Sequence, residues 1–229
     1  MWKFKVGSNG DCSVAIGEPG SKYANVAVIG SNEGGSCDAL NLCYVFGIDK
    51  TTGKELWRTK VGQAGISGGG TIAGDAYYAG TWNSKVASYD LGTGKVNWEA
   101  DVKGSVQSRP AYYNGVVYFS VEDDMTLVAM KATTGEVIWK YSGATQEFNG
   151  SPSIDTVSGI VYAGANDKYL HAVNMTTGSV LFKFETCANV FASAAIADSG
   201  MVYISCNTVT GNRKPGIGAA YAIDPRKHM

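Results

Sequence analysis

A repeat of about 41 residues constrains the fold of this chain more than any other feature. Four segments share a polar turn that contains glycine and is followed by a large aromatic residue: GIDKTTGKELWRTKV, SYDLGTGKVNWEADV, AMKATTGEVIWKYSG and AVNMTTGSVLFKFET. Spacings of 41, 41 and 43 residues separate both the glycines (Gly53, Gly94, Gly135, Gly178) and the aromatic residues (Trp57, Trp98, Trp139, Phe182). A register kept over four copies predicts a repeat architecture.

Each copy has a simple physical interpretation. A strand runs into a turn in which glycine supplies the backbone freedom. At the end of that strand, Asp49, Asp90 and Asn174 can accept hydrogen bonds from the amides of the turn, whereas Lys131 leaves the third turn without this cap. The aromatic residue that follows can bury a large area against a neighbouring unit.

Two further strands precede each turn, as in SRPAYYNG and VVYFSVED of the third copy. No long window shows the 3.6-residue apolar period of a helix. Apolar residues make up 45% of the 229 residues and charged residues 17%, which indicates a substantial core. Units of four short strands in about 41 residues predict an all-β fold made of β-propeller blades.

The segments GIDKTTGKELW, SYDLGTGKVNW and AMKATTGEVIW resemble the AxDxxTGxxxW repeat of the pyrroloquinoline-quinone-type (PQQ-like) propeller family, and the resemblance covers essentially the whole chain. It implies a propeller but selects no function, because the family contains quinone-dependent dehydrogenases as well as non-catalytic scaffold and assembly proteins. The dehydrogenases use adjacent cysteines, and this sequence has no Cys-Cys pair. We therefore expect no catalytic residues and no cofactor, since nothing in the sequence supports PQQ or a metal ion.

The copies divide the chain into five blades of one domain, residues 1–229. We expect the blades near 8–62, 63–103, 104–144, 145–187 and 188–229, and the last one has no fourth strand of its own. The opening segment MWKFKV resembles that missing strand. With the two chain ends joined, Trp2 follows Asp224 by seven residues, against eight in the other copies. This register predicts a five-bladed ring closed by residues 1–7, and the alternative is a fragment of a larger propeller.

Five cysteines occur, none of them in a CxxC pair: Cys12, Cys37, Cys43, Cys187 and Cys206. We label the strands of each blade A to D in chain order. In such a meander the D-to-A and B-to-C connections share one face, and all five cysteines fall on it. We expect disulfides between Cys37 and Cys43, and between Cys187 and either Cys206 or Cys12. A thiolate metal site and buried thiols are the alternatives.

Disulfides favour an extracellular or periplasmic location, and an odd cysteine allows a disulfide-linked partner. The opening MWKFKVGSNG lacks the apolar stretch of a signal peptide, so an exported protein would be present in its mature form. The net charge of −1 argues against nucleic acid, and no apolar run is long enough for a membrane span.

The same face carries the candidate ligand-binding residues at the mouth of the central channel: Asp11, Gln107, Arg109, Glu147, Asn149 and Asn189. Converging polar groups at a pore are typical of a binding site. We therefore expect a non-catalytic binding or scaffold module for a protein, small-molecule or glycan ligand. The first alternative is a metal- or redox-linked protein that uses the cysteines of blades one and five, and a quinone-dependent dehydrogenase is less favoured. His171, within a strand, is expected to pack rather than to catalyse.

Overall fold

The computed structural model describes residues 1–6, 12–31, 43–62, 65–207 and 218–229. Their regular structure consists of strands and one short 3-10 helix, Pro225–Lys227. The strands form five antiparallel sheets, each following the chain order. The predicted fold class, an all-β five-bladed propeller, is confirmed in its blade number and in its antiparallel strands.

Each sheet is one blade. Blade one contains β1 (Ala15–Ile16), β2 (Val26–Gly30), β3 (Cys43–Asp49) and β4 (Glu55–Gly62). Blade two contains β5 (Gly70–Ala73), β6 (Ala76–Gly80), β7 (Lys85–Asp90) and β8 (Val96–Asp101). Blade three contains β9 (Ala111–Tyr113), β10 (Val116–Val121), β11 (Thr126–Lys131) and β12 (Val137–Tyr141). Blade four contains β13 (Ser153–Asp155), β14 (Ile160–Gly164), β15 (Tyr169–Asn174) and β16 (Val180–Glu185). Blade five contains β17 (Ala195–Ile196), β18 (Val202–Asn207) and β19 (Gly218–Ile223).

The C-to-D turns are held by their first residue. Asp49 Oδ1 accepts hydrogen bonds from the amides of Thr51 (3.0 Å) and Thr52 (2.7 Å). These bonds, led by the Thr52 amide, hold the pKa of Asp49 below its ordinary value. In the third copy Lys131 pairs instead with Glu136, 2.6 Å away on the surface. As the sequence predicted, the contacts of the described residues include no side-chain acceptor for the amides of this turn at position 131.

The two signature residues of the repeat contact each other across neighbouring blades. The indole Nε1 atoms of Trp57, Trp98 and Trp139 donate to the carbonyl oxygens of Leu91 (3.0 Å), Ala132 (2.8 Å) and Met175 (3.0 Å) in the next blade. Each ring lies over the turn glycine of that blade: a Cβ built on Gly135 would stand 2.5 Å from the Trp98 ring. Gly135 also has φ of +73°, so both the turn and the close approach require glycine.

The core lies between blades rather than at a single centre. Four apolar clusters fill the four junctions from blades one and two to blades four and five. Tyr118, Phe119 and Tyr162 are among the fully buried side chains. Within the described ranges, no helix has the length and apolar character needed to cross a membrane.

The predicted closure of the ring by residues 1–7 is wrong in its strand pairing. Residues 1–6 form no strand, and within the described part of the chain β19 pairs with β18 alone, so blade five has three strands. Trp2 lies on blade one instead, where its Nε1 donates to the Lys50 carbonyl at 3.0 Å and its ring covers Gly53. Residues 1–6 thus contact the blade that follows them, as the other D strands do, without joining the sheet of blade five.

Candidate binding face

We call the surface formed by the D-to-A and B-to-C connections the upper face; its described parts include residues 102–110, 122–125, 142–152, 165–168 and 186–194. One backbone hydrogen bond recurs on it. The amides of Glu122, Asn166 and Asn207 donate to the carbonyls of Ser105 (2.9 Å), Glu147 (2.9 Å) and Asn189 (3.1 Å). Each B-to-C connection is thereby fixed to the connection that enters its own blade. A surface held in this way is preorganised for binding.

The structure places the predicted ligand residues that it describes on this face. Gln107 and Asn149 both follow a buried apolar residue and are half-buried, as are Glu147 and Asn189. The exposed Arg109 donates through its backbone amide to Ser151 Oγ at 2.9 Å, and its Nε lies 3.4 Å from Thr71 Oγ1. These five residues therefore share one face. Asp11 lies outside the described residues.

Sequence reasoning missed Glu122, which Gln107 and Ser105 hold in place. Its carboxylate accepts hydrogen bonds from Gln107 Nε2 and from Ser105 Oγ, the latter at 3.2 Å. Burial raises the pKa of Glu122, and the charges of Asp123 and Glu147 act in the same direction, with only partial compensation by these hydrogen bonds. The one available signal was the acidic run Glu122–Asp124, and acidic turns are ordinarily solvated.

Asp123, beside Glu122, has the opposite environment. Its Oδ2 accepts a hydrogen bond from the Ser105 amide (2.8 Å) and lies 3.0 Å from Ser105 Oγ, whose single proton is shared between Asp123 and Glu122. These bonds, led by the amide, lower the pKa of Asp123. Ser105 therefore bridges two carboxyl groups, one easily ionised and one that resists ionisation. The pair gives this part of the face hydrogen-bond acceptors with fixed directions.

A hydrogen-bonded triad lies beneath the upper face at the junction of blades three and four. Tyr141 Oη lies 2.9 Å from His171 Nδ1, and His171 Nε2 lies 3.1 Å from Asp167 Oδ1. Burial raises the pKa of Tyr141 to about 12. Burial would raise the pKa of Asp167, but the bond and charge of His171, with two backbone amides, lower it overall. Because His171 is fully buried, the triad joins the two blades rather than meeting solvent.

The structure contains one of the two alternative disulfides predicted for Cys187. Cys187 pairs with Cys206, with their Cα atoms 6.0 Å apart, and this bond ties the connection entering blade five to β18. Cys43 is also disulfide-bonded, and Cys37, its predicted partner, lies outside the described residues. Cys12 is buried, and its Sγ donates to the Ile66 carbonyl. Among the residues that the structure describes, no group of three or more His, Cys, Asp or Glu could hold a metal ion.

Tryptophan and glycine contacts between successive four-stranded blades define the class of this protein, a propeller of PQQ-like repeats. The particular family is shown by its sequence profile, described as "Outer membrane protein assembly factor BamB", which matches residues 44–206. The chain belongs to this family.

Individual named proteins are also similar in sequence to this chain. The chain is 32% identical over 185 residues to the outer membrane protein assembly factor BamB of Burkholderia pseudomallei, covering 78% of this chain and 43% of that protein. It is 30% identical over 135 residues to BamB of Nitrosomonas eutropha, covering 58% and 32%. A dehydrogenase subunit of the quinone-type alcohol dehydrogenase of Gluconobacter oxydans is 26% identical, covering 66% and 21%. The chain thus spans less than half the length of these relatives.

Two solved structures share the fold. The crystal structure of BamB from Moraxella catarrhalis superposes with a TM-score of 0.70 at 21% identity, over 96% of this chain and 63% of that one. The computationally designed Ika4 protein superposes with a TM-score of 0.61 at 17% identity, over 76% of this chain and all of that one. At these identities the likeness concerns the fold alone.

Proposed function

We propose that this chain is a non-catalytic propeller that binds a protein partner through its upper face and serves in outer membrane protein assembly. The observation that carries the proposal is the family match over residues 44–206, since the relatives in that family are named as assembly factors. The proposed unit is the single domain of residues 1–229. A partner protein fits better than a small molecule because the polar groups are spread along successive blades instead of meeting in one pocket.

The upper face supports the proposal by its chemistry. It offers the exposed carboxylate of Asp123, which Ser105 holds in a fixed direction, and it also contains the half-buried Asn149 and the exposed, cationic Arg109. Rigid connections lose little conformational entropy when they bind. Charged and polar groups of this kind set the orientation and specificity of a partner. The half-buried Gln107 and the exposed Arg109 are the residues that we expect to lie closest to it.

The disulfides support a location outside the cytoplasm. Cys187–Cys206 is closed and Cys43 is disulfide-bonded, and such bonds persist in oxidising compartments such as the periplasm. The relatives are named for work at the outer membrane, which faces that compartment. We therefore propose that the chain acts in the periplasm without a bound cofactor.

The proposal is tested with the immobilised chain and a detergent-solubilised outer membrane fraction of Shewanella oneidensis, whose BamB is a relative of 23% identity. Mass spectrometry of the retained proteins should show enrichment of outer membrane assembly components. The double variant Arg109→Ala/Asn149→Ala should lose this enrichment. Its matched control is Lys95→Ala/Thr176→Ala, which removes one cation and one polar group from exposed turns of the opposite face.

Two results would contradict the proposed function. One is equal retention of assembly components by both double variants, which would remove the upper face from the interaction. The other is the absence of any assembly component among the proteins retained by the unaltered chain. The similarity to the quinone-type dehydrogenase subunit supports one competing function, a quinone enzyme. Alcohol oxidation with an artificial electron acceptor by the chain supplied with PQQ and calcium would support that competitor.

A further inference from the structure

A groove of about 190 Å³ lies between blades three and four, on the face opposite the upper face. It is formed by the turn from β9 to β10, by β12 and by the C-to-D turn of blade four. Both blades that form it are four-stranded sheets. We call it the Tyr113 groove, and the residues that line it include Tyr113, Asn114, Ile138, Trp139, Met175 and Thr176.

Tyr113 distinguishes this groove from the neighbouring junctions. In the pairing of the A and B strands, Ala73 and Asp155 hold the equivalent position in blades two and four. Tyr113 is 37% exposed, and none of the described residues forms a ring contact or a hydrogen bond with its side chain. The adjacent Tyr112 is equally exposed but stacks on Tyr78 of blade two, with ring centroids 5.9 Å apart. The Tyr113 ring is therefore an aromatic surface that the packing of the blades leaves uncovered.

Two polar side chains at the rim of the groove can bind a ligand. Asn114 and Thr176 are exposed, and their side chains form no hydrogen bond within the part of the chain that the structure describes. The amide of Asn114 and the hydroxyl of Thr176 can each donate and accept. At the buried floor, Trp139 Nε1 and Tyr118 Oη lie 3.0 and 3.4 Å from the Met175 carbonyl oxygen and are already engaged. The groove thus combines a satisfied, largely apolar floor with a polar rim.

The charge and the volume of the Tyr113 groove restrict the ligand that it can take. Of the described residues that line it, none carries a charge. A charged ligand would therefore lose hydration without gaining a counter-charge. A cavity of about 150 Å³ holds benzene, so about 190 Å³ accepts one six-membered ring with its substituents. The matching ligand is neutral, one ring in size, apolar on one face and able to form hydrogen bonds along its edge.

We propose that the Tyr113 groove binds one hexopyranose ring of a neutral sugar. The C–H bonds on one face of the sugar lie against the Tyr113 ring, because the face of an aromatic ring is negative and attracts them. Sugar hydroxyls form hydrogen bonds with Asn114 and Thr176, and Ile138 contacts the remaining apolar surface. A tyrosine supplies such a contact at a low cost in conformational entropy. This site is independent of the function proposed for the upper face.

NMR titration of the nitrogen-15-labelled full chain with the methyl glycosides of glucose, galactose, mannose and N-acetylglucosamine tests this proposal. The amide shifts of Tyr113, Asn114 and Thr176 should saturate with at least one glycoside, with a dissociation constant on the order of 1 mM for a single ring. Tyr113→Ala should weaken binding about tenfold or more. Tyr112→Ala is the matched control, since Tyr112 has the same exposed fraction and lies outside the groove, and it should bind normally.

The polar rim is tested with a second pair of variants. Thr176→Ala should weaken binding about twofold to tenfold, which corresponds to the loss of one hydrogen bond. Its control is Thr133→Ala, because Thr133 is exposed at the same position of the C-to-D turn of blade three. Methyl β-D-glucuronide has the ring of the glucoside with a carboxylate added and should bind more weakly than the glucoside. Circular dichroism of each variant verifies the fold before the comparison.

Three results would overturn the proposal. The first is the absence of saturable shifts at these residues with all four glycosides at about 50 mM, far above the expected dissociation constant. The second is equal weakening of binding by Tyr112→Ala and Tyr113→Ala. The third is tighter binding of N-acetyl-phenylalanine amide than of any glycoside, which would assign the groove to an aromatic side chain of a protein. None of these results affects the retention experiment, which concerns the opposite face.

Discussion

Replacing Gly135 with alanine should destabilise the protein far more than the same change at Gly115 in the same blade. Both glycines have positive φ, +73° and +79°, so alanine is strained at either position. Only at Gly135 would the new Cβ meet the Trp98 ring, at 2.5 Å, whereas a Cβ on Gly115 has no atom within 4 Å. Comparing the two variants therefore separates the destabilisation caused by backbone strain from that caused by the clash with the neighbouring blade.

The magnitude follows from these contacts. Backbone strain costs about 1 kcal/mol at either glycine. At Gly135 the clash adds about 1–3 kcal/mol of overpacking. Displacement of Trp98 also weakens its 2.8 Å hydrogen bond to Ala132, which contributes about 1 kcal/mol. We expect Gly135→Ala to lower the free energy of unfolding by about 3–5 kcal/mol, and Gly115→Ala by about 1 kcal/mol.

Urea unfolding followed by circular dichroism measures both variants against the unaltered chain. The Trp98→Ala background provides a further check, because there the clash is gone and Gly135→Ala should cost only the backbone strain. Equal losses for Gly135→Ala and Gly115→Ala would refute the role of the tryptophan–glycine contact. So would an undiminished loss in the Trp98→Ala background.

Three further changes have expected outcomes that urea unfolding can measure. Lys131→Asn supplies the missing acceptor of the third turn and should stabilise the protein by about 0.5–1 kcal/mol, and a loss of stability would contradict the capping argument. Glu122→Gln should stabilise the protein at pH 7 but not at pH 3. Because folding raises the pKa of Glu122, the stability that this carboxyl contributes is full below its unfolded pKa and is lost as pH rises through its folded pKa. A gain in stability of equal size at both pH values would count against this reasoning. Cys187→Ser/Cys206→Ser, which opens a loop of sequence separation 19, should cost about 2–4 kcal/mol. Dithiothreitol should cost the unaltered chain at least as much, because it also reduces the disulfide of Cys43, and an unchanged stability of the variant would contradict this reasoning.

The sequence was sufficient to predict the blades because their determinants are local. The spacing between Gly94 and Gly135, and between Trp98 and Trp139, equals the length of one blade in the sequence. Each blade folds with the same turn and the same strand order. The contact between Trp and the next glycine was not predicted, although both residues had been singled out. It depends on how one blade stacks on another, which the repeat length does not encode.

The failed prediction of ring closure has a similar cause. The pattern of residues 1–6 correctly indicated a D-type segment, since Trp2 makes that contact with blade one. Whether this segment also reaches β19 depends on the angle between successive blades, summed over the chain. That angle is set by the volumes of many side chains between sheets and not by any short motif.

The candidate site was predicted in part. Gln107, Arg109 and Asn149 lie together on one face because the strand order alone decides which connections share it. Glu122 was missed because a carboxylate in an acidic turn is ordinarily solvated. Its burial results from the connection through Ser105, which folds back over the turn.

The retention experiment with the immobilised chain tests the central claim, that the upper face binds a protein partner, most directly. The unaltered chain and the control Lys95→Ala/Thr176→Ala should both retain outer membrane assembly components, and Arg109→Ala/Asn149→Ala should not. Equal retention by the two double variants would contradict the claim.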